Sequence, residues 1–166
     1  KIDGSFFAFG VYHEDLSDES SSLGLRVRSK GAVMEPLAPM AMFKLPVQAA
    51  LNRQHLLKPG YQYRGEALAK PKHNALVYDR VPKDNVILFD ILTAEEEYLS
   101  YDMLKTEADR IGLECVPQLF AGVINSPDEL RKFLDTPSVL GGQLVEGVVV
   151  KQTAPIYGLD KKLLMM

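Results

Sequence analysis

The sequence predicts a single α+β domain built on antiparallel sheets, and three observations carry that expectation. Segments with the period-two apolar pattern of strands outnumber those with helical periodicity, and the two kinds do not alternate as a doubly wound parallel fold requires. With 166 residues, 46% hydrophobic and 25% charged, the chain is long enough to bury roughly two-thirds of its unfolded surface around one core. The lone cysteine, Cys115, excludes a disulfide framework and a Cys/His zinc module, and it fits a reducing, cytoplasmic location.

Taken in order, Ser5 to Tyr12 (SFFAFGVY) is β-rich, and Leu23, Leu25 and Val27 alternate with Gly24, Arg26 and Arg28. The polar stretch HEDLSDESSS between them is the loop of a hairpin. Pro46 suits the first turn of a helix whose apolar side is Val47, Ala50 and Leu51, with Leu57 beyond it. Tyr61 to Leu68 and Asn85 to Leu92 read as strands, the second nearly all apolar and therefore central. Ser100 caps a helix carrying Met103, Leu104, Ala108 and Ile111, and Gly112 ends it. Ser126-Pro127-Asp128-Glu129 is a capping box opening a second helix with Leu130, Phe133 and Leu134 on its apolar side. Val116 to Ile124 and Gln143 to Lys151 complete the expected strands.

A net charge of -3 argues against a protein that holds nucleic acid by bulk positive charge, but the distribution is uneven. From Asn52 to Lys83 seven Lys/Arg face two acids, and from Asp84 to Glu114 nine acids face two cations. Such a dipolar chain can present one anion-binding face while remaining acidic overall; the alternative is two solvated faces. The longest run without charge, Cys115 to Pro127, has 13 residues and two prolines, too short and broken to cross a membrane.

Several groups of residues carry chemistry. Lys1-Ile2-Asp3-Gly4 sets a lysine at the mouth of a strand, with a glycine that permits close backbone approach. In Glu146-Gly147-Val148-Val149-Val150-Lys151 a glutamate and a lysine bracket a β-branched run, and strand alternation turns the two toward opposite faces. A carboxylate on a buried strand needs a partner, either a lysine or a hydrated cation. Arg64-Gly65-Glu66 places another glutamate after a glycine within a strand, and Phe89 offers either plain core or a flat face for a purine.

In sequence order, KIDG, RSKG (Arg28 to Gly31), YRGEAL, ILFDI and EGVVVK resemble the motif series of the covalent nucleotidyltransferases, which include ATP-dependent DNA and RNA ligases and messenger-RNA capping enzymes. The stretch GEALAKPKHNALVYDRVP followed by ILFDI looks most like the phage-type RNA ligases that seal nicks in duplex RNA. The resemblance spans Lys1 to about Met166 and implies one nucleotidyltransferase domain, an ATP-grasp-like fold of antiparallel sheets flanked by helices around a nucleotide pocket. It further implies ATP and magnesium, with manganese as a substitute, and nicked or duplex RNA, or DNA, as polynucleotide substrate for a monomeric enzyme in the cytoplasm, the host's if phage-encoded.

The resemblance also distributes roles. Lys1 is the nucleophile that takes AMP from ATP, with Asp3 in the same motif, and Glu146 holds hydrated magnesium. Glu66 contacts the ribose, Phe89 stacks on adenine, Arg28 meets a phosphate, and Lys151 contacts a phosphate or the nucleic-acid backbone. The cations of the 52–83 segment are expected to follow the polynucleotide. The family's final motif, a strand with two lysines, has only Lys161-Lys162 as a stand-in, so the chain is expected to be cut before its first motif and at its last. A DNA ligase, a capping-type guanylyltransferase and a non-catalytic nucleotide- or RNA-binding module are the competing readings.

Overall fold

A computed structural model describes residues 1–15, 17–18 and 20–151. The expected α+β class is what it shows. One sheet organises the described residues, with six strands in the order β3-β2-β1-β4-β5-β6. These are β1 (Ser5–His13), β2 (Leu23–Ser29), β3 (Val33–Met34), β4 (Gln62–Ala67), β5 (Val86–Leu92) and β6 (Glu114–Cys115). All neighbouring pairs are antiparallel except β5 and β6.

Strand alternation gives the sheet two unlike faces. Phe7, Phe9 and Val11 of β1, Val27 of β2, Tyr63 and Ala67 of β4, and Val86, Leu88 and Ile91 of β5 all join one buried cluster. That face is covered by α1 (Lys44–Arg53) through Val47 and Ala50, and by α2 (Tyr101–Ile111) through Leu104, Ala108 and Ile111. The opposite face carries Phe6, Ala8, Gly10 and Tyr12 of β1 beside Arg26 and Arg28 of β2 and Gln62, Arg64 and Glu66 of β4. A smaller apolar cluster of Ile2, Leu68, Tyr78, Ile87 and Leu140 closes one end of that face.

Helix α2 starts and stops where its capping residues dictate. Ser100 Oγ accepts from the Met103 amide, and Gly112 adopts a left-handed φ of 71° that an L side chain rarely takes. Its buried stripe differs from the expected one, because Met103 is exposed and Glu107 is 4% exposed. Burying that carboxylate is possible because Tyr63 Oη donates to it at 2.8 Å, Arg110 reaches both its oxygens, and Lys58 Nζ lies 3.0 Å away. These cations hold the Glu107 carboxyl down at about 2 against the opposing effect of burial.

Two expected strands are not formed. Val116 N still donates to Leu88 O, but Pro117 has no N–H to continue the ladder, and the chain leaves the sheet there. The 143–151 segment makes an isolated bridge between Pro137 and Leu144 and single bonds such as Val145 N to Thr136 O. Its valines have the composition of a strand, yet its pairings with 136–138 and with Lys1 stay isolated and form no strand, and Val149 and Val150 are exposed. The alternation that set Glu146 and Lys151 on opposite faces therefore does not apply. Helix α3 (Pro127–Arg131) is capped as expected by Ser126 Oγ accepting from Glu129 N, but it has only five residues before a 3-10 turn, Lys132–Asp135.

The charge segments resolve as neither one anion-binding face nor two separate solvated faces. Arg53, Lys58 and Arg80 of the basic stretch pair with Asp84, Glu107 and Glu114 of the acidic one, so much of the dipole is spent joining the two. No helix among the described residues is long and apolar enough to cross a membrane.

Candidate active site

The residues before β1 bring Lys1 to the end of the sheet's open face. Ile2 is buried in the smaller apolar cluster and anchors the segment, while the Lys1 side chain stays half exposed. Glu146 N donates to Lys1 O at 3.3 Å and Lys1 N donates to Gly147 O at 2.6 Å, fixing the two segments edge to edge. As a result Lys1 Nζ donates to Glu146 Oε1 at 2.7 Å. That bond, joined by the charges of Glu146, Glu66 and Asp3, raises the Lys1 pKa against a weaker opposing effect of burial. The lysine is thus held as an ammonium in this arrangement.

Asp3 is committed to positioning. Its carboxylate accepts from Ala75 N and Leu76 N at 2.8 Å and from Asn74 Nδ2 at 3.1 Å, and its own amide donates to Tyr78 Oη at 2.7 Å. Burial alone would raise its pKa, but the bonds from Leu76, Asn74 and Ala75 together outweigh it and lower the pKa, and they tie the 69–79 loop to the Lys1 segment. His73 continues the tie. Its Nδ1 accepts from the Ala69 amide, which leaves Nε2 protonated to face Ser5 Oγ at 2.9 Å.

Glu66 is the unusual group. It stands opposite Phe6 in the β1–β4 register, and its Oε2 is buried with no hydrogen-bond partner among the described residues. Burial pushes its carboxyl up to about 7, against the pull of Lys1 and with the push of Glu146 and Asp3. A buried acceptor without a donor is costly and rare, which makes this oxygen a candidate to accept from a ligand.

Phe89 lies at the irregularity where β4 and β5 slip register between Arg64 and Gly65, and its ring meets Phe6 at 6.2 Å between centroids. Both rings are partly exposed beside Glu66. Arg28 is exposed on the same face, and no carboxylate pairs with it among the described residues. Lys151 Nζ donates to Asp90 Oδ1 at 2.6 Å and to Phe89 O at 2.7 Å, which joins it to the aromatic end of the site. Lys161 and Lys162 lie outside the described residues.

Lys1, Glu66, Glu146, Phe89 and Lys151 therefore converge, with Asp3 beneath them and Arg28 farther along the face. Sequence reasoning missed Phe6, Asp90 and the Asp3 partners Asn74 and Tyr78. Phe6 was readable, since alternation from the buried Phe7 turns it to the other face. The loop partners were not, because their contacts span more than 70 residues.

A lysine paired with one glutamate, beside a second, half-buried glutamate with one unpartnered oxygen at the end of a sheet, marks the candidate site of this α+β domain. The family model for RNA ligase matches residues 1–164, and the chain belongs to that family. It is thus an RNA ligase in the general sense. No curated protein matches the chain significantly.

Proposed function

We propose that the protein is an ATP-dependent RNA ligase that joins a 3′-hydroxyl to a 5′-phosphate through a lysine-AMP intermediate on Lys1. The observation that carries this reading is the buried, unpartnered Oε2 of Glu66 next to the Lys1–Glu146 pair, an acceptor suited to a ribose hydroxyl. Phe89 and Phe6 supply flat apolar surface for adenine beside it.

The chemistry follows from what each group can do. Glu146 leaves Lys1 Nζ, removing the largest cause of the lysine's raised pKa, and the half-exposed Nζ gives its proton to solvent water. Neutral Nζ then forms a bond to the α-phosphorus as the bond to the pyrophosphate oxygen breaks. Transfer of AMP to an RNA 5′-phosphate breaks the P–N bond and returns the lysine. Attack by the 3′-hydroxyl on that 5′-phosphate expels AMP and seals the strand.

Magnesium, when bound, supplies neutralisation of the phosphate charge. Glu146, an oxygen donor beside Lys1, would hold this ion, which keeps its waters and leans on phosphates. Labelling with ATP carrying a tagged α-phosphate tests the reading. Covalent label on Lys1 is expected, and an unlabelled protein under conditions where it binds ATP overturns it.

A further inference from the structure

The protein has seven arginines, and their partners divide them sharply. Arg53, Arg80, Arg110 and Arg131 each form an ion pair with a carboxylate. The remaining Arg26, Arg28 and Arg64 have no carboxylate partner among the described residues, and all three share the open face of the sheet. Arg28 and Arg64 are the two cross-strand neighbours of Ala8, so they straddle a small side chain with backbones roughly 10 Å apart. Arg26 stands opposite Gly10, one row farther from Glu66, about 7 Å along the strand.

Each outer arginine is held by an aromatic ring rather than by an acid. The Arg26 guanidinium lies 5.3 Å from the centroid of Tyr12, whose ring folds back over Gly10. A Cβ at Gly10 would sit 2.1 Å from Tyr61 O and 3.1 Å from the Tyr12 ring, so only glycine permits this arrangement. Arg64 lies 5.4 Å from the centroid of Tyr98, donates to Tyr98 Oη at 2.6 Å, and donates from Nε to Gln62 at 2.5 Å. Asp90 is directly opposite Arg64 in the register, yet its carboxylate is taken by Lys151. Between Arg26 and Arg28 the surface sinks into a recess of about 260 Å³ that also touches Ala8, Tyr12, Val33 and Gln62.

We infer that Arg26 and Arg64 form a phosphate-binding track, continuous with Arg28, that holds successive backbone phosphates of the polynucleotide as it runs away from Lys1. The planar guanidinium groups of Arg26 and Arg64, held near aromatic rings and without a carboxylate partner among the described residues, suit bidentate contact with phosphate oxygens. Their spread over two rows and three strands fits an extended anion chain. The contacts are to phosphate, so they confer register without sequence preference. This inference rests on the ligase reading above.

The test uses the full protein, a nicked RNA duplex and ATP. Arg26→Gln and Arg64→Gln are each expected to lower the slope of log affinity against log salt by about 0.9. Labelling of Lys1 by ATP should keep its wild-type rate and KM. Arg26→Lys and Arg64→Lys, which keep the charge and lose the stacked fork, should restore the slope, and they control for misfolding of the glutamine variants. Unchanged slopes in both glutamine variants, or no restoration by lysine, overturn the track. A raised KM for ATP with unchanged RNA binding overturns it in favour of the nucleotide's own phosphates. Absence of Lys1 labelling in the wild type would instead condemn the ligase reading, while the salt slopes still decide the track.

Discussion

Replacing Glu66 by glutamine should make the ligand-free protein more stable and a worse enzyme, with both effects arising from one buried oxygen. The carboxyl is pushed from 4.5 to about 7, and at 1.36 kcal/mol per unit that difference is about 3.4 kcal/mol when the group is fully ionised. Solvent reaching the cleft reduces the usable figure to roughly 1–2 kcal/mol. Because the folded-state pKa lies above the unfolded value, the favourable contribution of the neutral carboxyl is present below about pH 4.5 and is lost as the pH rises through about 7. Glu66→Gln, which cannot ionise, should therefore match the wild type near pH 4.5 and exceed it at pH 8.5. For a chain of 166 residues the gain corresponds to a Tm rise of roughly 3–6 °C at the higher pH. Thermal unfolding followed by circular dichroism at both pH values provides the measurement. A pH-independent shift, or a loss of stability at pH 8.5, would refute the buried-carboxyl argument. In the same variant Lys1 labelling should fall roughly 10- to 100-fold, the worth of a hydrogen bond to a charged group.

Tyr63→Phe removes the donor to Glu107 and the acceptor of the Lys58 amide in a fully buried place, so urea unfolding should show a loss of about 1–3 kcal/mol. Wild-type stability contributed by Glu107 should be fully present above about pH 4.5 and fade as the pH falls through about 2, since its folded-state pKa is depressed. Asp3→Ala frees the Ala75 and Leu76 amides and the Asn74 side chain, and limited proteolysis should then cut within the 69–79 loop at least several-fold faster, with Lys1 labelling reduced but the fold retained. Glu146→Gln should leave thermal stability within about 1 kcal/mol of wild type, as expected for a half-exposed pair. Removing the Glu146 charge should nevertheless shift the pH profile of Lys1 modification by an amine reagent toward lower pH, while labelling by ATP is lost.

How much of this was legible in the sequence depended on whether the signal was local. The strand pattern of 5–12, the Ser100 cap and the Gly112 stop are matters of neighbouring residues, and the structure has them in place. The 116–124 and 143–151 segments look like strands by composition, but forming one needs a partner that composition does not specify. Glu107 replaced Met103 on the buried side of α2 because Tyr63, Lys58 and Arg110 happen to surround it, which no periodicity reveals. At the site, Lys1, Glu66 and Glu146 stood out as residue types, and the structure brings them together. That the lysine is an ammonium locked to Glu146, and that one Glu66 oxygen lacks a donor, are facts of distance and burial. The proposed arginine track was legible only in part: Arg28 and, within the 52–83 segment, Arg64 were expected to meet phosphates, while Arg26 was not, and only pairing geometry separates the engaged cations from the rest.

The ligase account stands or falls on the bond formed at Lys1. The full protein should be incubated with magnesium and ATP carrying a labelled α-phosphate, then digested so that the labelled peptide can be sequenced. A single label that is acid-labile, alkali-stable and located on Lys1 is expected, and Lys1→Arg should carry none, since a guanidinium stays protonated. Label persisting in Lys1→Arg, or arising from GTP and not from ATP, would contradict the account.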